Sequence, residues 1–174
     1  MATNGLTLPV FNVHRMMAKM SGRRIESRSS GDPGGETIIA AGVRVAPDVG
    51  ALASLDAAKQ QVAILVWHYH DDDVPGPDAS VQLSVVGLPA ATVSPDGVRV
   101  AHFRVDREHS NAYTFWQKLG SPTALSRPQY AQLEAASQLA MLTDSPTTTA
   151  AENGAAALSF TLPRQAVSLI VLSW

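Results

Sequence analysis

The sequence predicts a mainly β protein: an antiparallel β-sandwich with an inserted helix–loop–helix and one amphipathic helix ahead of it. From residue 49 onward, short apolar runs with a period of two alternate with turn signals. Most neighbouring runs have no helical segment between them, unlike the repeating β–α–β units of a parallel sheet. Hydrophobic residues make up 45% of the 174 residues and charged residues 16%, so the chain can bury a core and is not disordered as a whole.

The first periodic segment, Leu8 to Met20, predicts an amphipathic helix. Its apolar residues recur at spacings of three and four: Val10, Val13, Met17 and Met20, widened by Phe11 and Met16. Asn12, Arg15 and Lys19 fall largely on the opposite face. Pro9 suits the first turn and Gly22 the C-terminal cap. One short helix cannot bury its apolar face alone, so this helix must pack on something.

The next segment, residues 23–35, is rich in Ser, Gly and Arg. It predicts a short strand near Arg24–Ser27 and then a mobile loop. Val49–Leu55 predicts the next strand, which is followed by a turn at residues 56–59. Gln61–Tyr69 predicts a central strand because it is apolar on both faces.

Four more strands complete the predicted sandwich. Ser80–Val86 alternates, with Val81, Leu83 and Val85 inward and Gln82 and Ser84 outward. The other three are Val98–Asp106, Leu158–Leu162 and Val167–Leu172. A turn at residues 163–165 joins the last two of them.

A helical insertion is predicted at about residues 110–141. Ser110 can cap a helix over 111–119, which ends at Gly120 and Pro122. Ser126 can cap a second helix, with Pro128 in its first turn. Residues 143–154, with Pro146 and several threonines, predict a flexible connection.

Composition excludes several classes of function. Thirteen Lys and Arg against fifteen Asp and Glu give a formal charge of −2, so we expect neither nucleic acid nor an anionic membrane as partner. The absence of cysteine excludes disulfides, thiolate catalysis and Cys-ligated metals. A membrane span needs about 18 consecutive apolar residues, and no apolar run in the sequence approaches that length. We find no signal peptide, so a cytoplasmic location is the default expectation.

The densest set of polar groups is the run from His68 to Asp73. On a strand, His68 and His70 point to the same face, and with Asp71 they form the weak candidate for a metal site. The alternative is a strand end whose acidic side chains are solvated, and this reading is favoured because a third fixed ligand is missing. We expect no cofactor.

Two catalytic arrangements are considered and not favoured. His102, Asp106 and His109 lie near Ser110 in sequence, but Ser110 stands where a helix cap is needed and no Gly-x-Ser-x-Gly motif is present. Glycoside hydrolysis needs two opposed carboxyl groups, one with a raised pKa. The glutamates all lie in polar or helix-surface settings: Glu26, Glu36, Glu108, Glu134 and Glu152.

The aromatic residues leave open a carbohydrate-binding module, which would need an exposed aromatic strip. Core packing is the default for the strand aromatics: Trp67, Phe103, Phe160 and Trp174. Tyr113 and Trp116 share a helix face and are expected to dock that helix.

Several motifs, in order along nearly the whole chain, resemble the C-terminal region of glycoside hydrolase family 39 β-xylosidases, with α-L-iduronidase a more distant relative. These motifs are the N-terminal Asn4-Gly5-Leu6-Thr7-Leu8-Pro9-Val10-Phe11-Asn12-Val13, the strand Ile64-Leu65-Val66-Trp67-His68-Tyr69-His70-Asp71-Asp72-Asp73, the segment from His109 through Trp116 to Pro122, and the closing hairpin Phe160 to Leu169. His14 departs from the aromatic residue expected there.

The resemblance implies a division into two parts. Residues 1–22 would hold the last helix of a (β/α)8 catalytic barrel, and residues 23–174 an accessory β-sandwich. Family members are retaining hydrolases with two catalytic glutamates on barrel strands, which would lie upstream of Met1. No residue of this chain aligns with either, so no catalytic residue is expected, and the chain is expected to be a truncated gene or a fragment.

The expected function is therefore support of a catalytic barrel, without activity in isolation. The barrel would contact Val13, Met17, Met20, Tyr113 and Trp116, unless the helix folds back on the sandwich or pairs with another copy of the chain. The alternatives are an autonomous carbohydrate-binding module and a protein-interaction domain.

Overall fold

The computed structural model describes residues 2–3, 5–89, 97–143, 147–149, 151–152 and 154–174. The helices are α1 (Pro9–Lys19), α2 (Gly35–Ala41), α3 (Ala112–Lys118) and α4 (Arg127–Ala136). The strands are β1 (Ala2–Thr3), β2 (Leu6–Thr7), β3 (Arg23–Ile25), β4 (Asp48–Asp56), β5 (Gln61–Tyr69), β6 (Ala79–Val86), β7 (Val98–Val105), β8 (Ala140–Met141), β9 (Thr147–Thr149), β10 (Ala151–Glu152), β11 (Ala155–Leu162) and β12 (Ala166–Ser173). Across these ranges, no helix has the length and apolar character to cross a membrane.

Among the described residues, the strands form two main sheets, and every pairing of one strand with another is antiparallel. The larger sheet has seven strands, in the order β3-β4-β5-β12-β7-β8, with β9 also pairing with β7. The smaller sheet has three, in the order β10-β11-β6, and β1 pairs with β2. The predicted fold class, a mainly β antiparallel sandwich with inserted helices, is confirmed.

The main core lies between the two sheets. Alternate residues of β5 and β12 supply its buried centre, among them Val62, Ile64, Ile170 and Leu172. The inward residues of β6, Val81, Leu83 and Val85, pack on it from the smaller sheet, as their alternation predicts.

The opposite face of the larger sheet carries a second core, which α1 covers. Ala63, Leu65 and Leu169 from this face pack with Met16 of the helix, which is fully buried. Because β5 and β12 contribute to both cores, the prediction of a central strand at 61–69 is confirmed.

Three parts of the structure differ from the sequence-based expectation. Strands β11 and β12 belong to different sheets, so the closing turn at 163–165 is an arch between the sheets and the expected hairpin is wrong. Helix α2, in which no residue is buried, was not anticipated. The predicted flexible connection at 143–154 contains β9 and β10, while residues 144–146, 150 and 153 lie outside the described residues.

Candidate functional site

Helix α1 has one face against the sandwich and one toward solvent. Asn12 and Met16 are fully buried, and Val13 and Met20 pack on the second core beside them. Val10 and Met17, seven positions apart on the other side, are 52% and 46% exposed. The helix therefore folds back on the sandwich and still presents an apolar stripe.

Asn12 fastens α1 to the helical insertion. Its Nδ2 group donates to the backbone oxygens of Ser110 (3.0 Å) and Ser137 (2.9 Å). Periodicity placed Asn12 on the polar face, and this expectation is wrong. Both acceptors are distant in sequence, so no local signal could identify them. Arg15 completes the contact by donating to Asn12 Oδ1 and Gln138 Oε1, each at 3.3 Å.

The insertion itself begins differently from the prediction. Asn111, not Ser110, caps α3, because its side-chain oxygen accepts from the backbone N–H groups of Tyr113 and Thr114. Ser110 is buried, donates to Arg104 O (2.6 Å) and accepts from Ala140 N (2.8 Å). The predicted cap at Ser126 is confirmed, as a capping box with Gln129.

Tyr113 and Trp116 stack on each other, with ring centroids 5.9 Å apart and an interplanar angle of 29°. The indole of Trp116 donates to Pro122 O at 3.0 Å, which fixes that ring within the insertion. Tyr113 is 56% exposed and so presents an aromatic face to solvent.

The polar strand end around His68 is committed to internal hydrogen bonds. Nδ1 of buried His68 bonds Leu162 O at 2.9 Å. His70 bonds Arg44 O through Nε2 and accepts from Asp72 N through Nδ1. Asp71 accepts from Val43 N at 2.9 Å. Among the described residues, no group of three or more His, Asp or Glu side chains is placed to hold a metal ion.

The acidic side chains of the described residues are either exposed or engaged in structural hydrogen bonds. The glutamates with described side chains are all exposed: Glu26, Glu36, Glu108 and Glu134. The side chain of Glu152 lies outside the described part. Two aspartates are buried in structural bonds: Asp48 accepts from Trp67 Nε1 (2.7 Å), and Asp106 accepts from two backbone N–H groups.

A buried polar network links β7 and β12 of the larger sheet to β11 of the smaller sheet. Arg104 donates to Ser168 Oγ (2.7 Å) and Thr161 O (3.0 Å), and its guanidinium lies 3.5 Å from Asp106. Burial lowers the pKa of Arg104, and Asp106 opposes that effect. His109 bonds Asp106 at 2.9 Å, and the Ser110 hydroxyl donates to Arg104 O. The residues considered for a triad therefore serve structure.

His102 joins the same network through Ser168. Its Nε2 lies 2.9 Å from the Ser168 hydroxyl, which already accepts from Arg104 Nε and so donates its own proton to the neutral ring. Burial, followed by the charge of Arg104, lowers the pKa of His102 to about 4. His102 is therefore neutral near pH 7.

These features define an antiparallel sandwich domain with a two-faced helix packed on its larger sheet. The model of the glycosyl hydrolases family 39 matches residues 1–153. The chain belongs to this family, and the resemblance stated above is confirmed. No curated protein sequence matches the chain.

Solved structures of larger enzymes share the fold. The family 39 enzyme from Xanthomonas axonopodis pv. citri is 18% identical with a TM-score of 0.72, and the match covers 97% of this chain and 31% of that one. A monomeric β-xylosidase from Caulobacter crescentus CB15 is also 18% identical, with a TM-score of 0.68, covering 99% of this chain and 32% of the other. The chain thus spans about a third of the length of these enzymes.

Proposed function

We propose that the chain is the C-terminal accessory sandwich of a β-xylosidase-like glycoside hydrolase, supporting a catalytic barrel and inactive alone. The observation that carries this proposal is the family match, combined with alignment over only 31% of the Xanthomonas enzyme. The exposed or structurally bonded acidic side chains of the described residues support it, because retaining hydrolysis needs two carboxyl groups that face each other about 5–5.5 Å apart.

The proposed contact with the barrel is the outward stripe of α1. Val10 and Met17 are large apolar side chains left about half exposed, with exposed His14 between them. Burying such a side chain contributes about 1.5–3 kcal/mol. Val13 and Met20 already pack on the sandwich, so they would hold the helix in place while Met17 and Tyr113 meet the barrel.

Activity tests the first half of this proposal. The purified 174-residue chain, assayed with an aryl β-xyloside, should release no aglycone above the buffer rate. Turnover that copurifies with the chain, and that disappears on substitution of one of its own acidic residues, would contradict the proposal.

Association tests the second half. Co-expressed with the catalytic barrel of its parent enzyme, the chain should elute with the barrel in gel filtration. The double variant Val10→Lys/Met17→Lys should weaken this complex at least tenfold. Val45→Lys, which places the same charge at a 99% exposed valine in the loop before β4, is the matched control and should leave the complex intact.

A carbohydrate-binding module is the second candidate, and one groove favours it. Trp67 and Tyr69, two apart on β5, line an open groove of about 300 Å³ together with Asp48 and Gln165. Tyr69 is 46% exposed and could stack on a sugar ring. Titration with xylo-oligosaccharides decides: binding at millimolar or lower concentration, lost in Tyr69→Ala, would establish the module.

A further inference from the structure

The smaller sheet ends in an open edge at β6. This strand pairs with β11 along its full length, from Ala79 opposite Leu162 to Val86 opposite Ala155. Within the described ranges no strand pairs with its other side, and no loop backbone bonds to it there. Half of the N–H and C=O groups of an eight-residue strand are therefore left for a partner.

A groove runs along this edge and reaches the main core. It consists of two adjoining cavities of about 350 and 250 Å³ that share Arg28, Ala51 and Leu83. Their walls include Val62, Ile64 and Val66 of the large sheet, which belong to the core between the sheets. The sandwich is thus open beside β6, where its apolar interior can be reached.

The far wall of the groove shows why the opening exists. In the part of the chain that the structure describes, the larger sheet has seven strands and the smaller one three, so the inner faces of β3 and β4 extend beyond β6. Ile25, Ala51 and Leu55 on those faces remain only partly buried. One more strand beside β6 would cover them.

The edge also lacks the features that keep free strands from pairing. Exposed edge strands usually carry a charge, a proline or a bulge. Residues 79–86, Ala-Ser-Val-Gln-Leu-Ser-Val-Val, contain no charged residue and no proline. A strand of this composition is typical of one that is covered in the working protein.

We propose that an extended segment from the rest of the parent enzyme adds to β6 as a fourth strand, with every second side chain apolar and directed into the groove. This inference rests on the proposed function, since about two thirds of a related enzyme lies outside the region that this chain matches. The eight residues of β6 offer a ladder about 27 Å long. A second copy pairing through the same edge is the competing occupant.

Hydrogen exchange tests this proposal on the chain alone, with a ten-residue probe peptide of alternating Val and Thr closed by a Lys at each end. In the free monomer, alternate amides of β6 should exchange at least a hundredfold faster than those of β5, which is paired with β4 on one side and β12 on the other. Millimolar peptide should slow these amides at least tenfold. Slow exchange throughout β6 in the free monomer, or no slowing by the peptide, would overturn the proposal.

Two variants at neighbouring positions test whether the peptide binds through the groove or on the outer face of β6. Leu83→Lys puts a charge into the groove and should abolish the slowing, whereas Ser84→Lys, on the outer face, should preserve it. If Leu83→Lys fails to fold, the wild-type exchange data still decide. A dimer in sedimentation that protects β6 would assign the edge to a second copy and overturn the proposal. None of these measurements involves the barrel. They can therefore contradict the pairing at β6 while the accessory role holds, and the assays of activity and association can contradict the accessory role while the pairing at β6 holds.

Discussion

The two sheets of the sandwich differ in how many of their faces are covered. The central strands of the larger sheet, β5 and β12, are apolar on both sides because the smaller sheet covers one side and α1 the other. Strand β6 alternates, with Ser80, Gln82 and Ser84 exposed on a face that no other described element covers. The hydrophobic pattern of a strand therefore indicates how many of its faces are covered: an alternating pattern indicates one covered face, and a continuous apolar run indicates two.

The largest expected loss of stability comes from truncating a buried side chain on either face of β12. Leu169 and Ile170 are fully buried on opposite sides of the strand. Leu169→Ala and Ile170→Ala should each lower the free energy of unfolding by about 2–5 kcal/mol, because each leaves a cavity. Urea denaturation measures both. A loss confined to Ile170→Ala would mean that α1 does not form a true second layer.

The next effect concerns the polar link between α1 and the insertion. Asn12→Ala leaves the carbonyls of Ser110 and Ser137 without their donor and should cost about 1–3 kcal/mol. The helix amides should then exchange faster than those of β5. Asn111→Ala, which removes the α3 cap and the bond from Asn111 Nδ2 to Asp106 O, is the control and should cost about 1–2 kcal/mol without affecting α1.

A loss of stability at low pH is expected from His102, which lies partly buried within the sandwich and not on its outer faces. The pKa of His102 is about 4 in the folded chain and near 6.5 when unfolded. Its stabilising contribution is therefore complete above pH 6.5 and is lost as the pH falls toward 4, by about 1–2 kcal/mol after allowance for partial exposure. Unfolding curves from pH 7 to 4 should show this loss, and His102→Gln should remove that part of the slope.

The smallest effect is expected on the bare side of β6. Val86 is 75% exposed, so Val86→Thr should change the free energy of unfolding by less than about 0.5 kcal/mol. The same thermal or urea denaturation used for β12 measures it. A loss above 1 kcal/mol would show that this face is covered in the isolated chain.

Much of the fold was predictable because it depends on short-range patterns. The bounds of β5 were predicted to the residue, and the Ser126 cap and α1 were also found, since period and capping chemistry act within a few residues. Helix α2 was missed because it is seven residues long and buries none of them, so no periodic apolar face marks it.

The candidate site was less predictable because its polar contacts join distant segments. Ser110 has the right residue type and spacing for a cap, but its hydroxyl bonds Arg104 and Ala140, and its neighbour Asn111 caps the helix. Asn12 looks like a surface residue in the helical period, and its burial depends on carbonyls 98 and 125 positions away.

The sequence by itself determined the long strands of both sheets, the helices of the insertion and the family, because hydrophobic period, turn residues and motif order are properties of neighbouring residues. Only the tertiary structure decided which side of α1 is buried, that the last two strands cross between sheets, and that β6 is left with an open edge. These features depend on which distant backbone groups and apolar faces meet, and the free energy of those contacts appears only when the layers pack together.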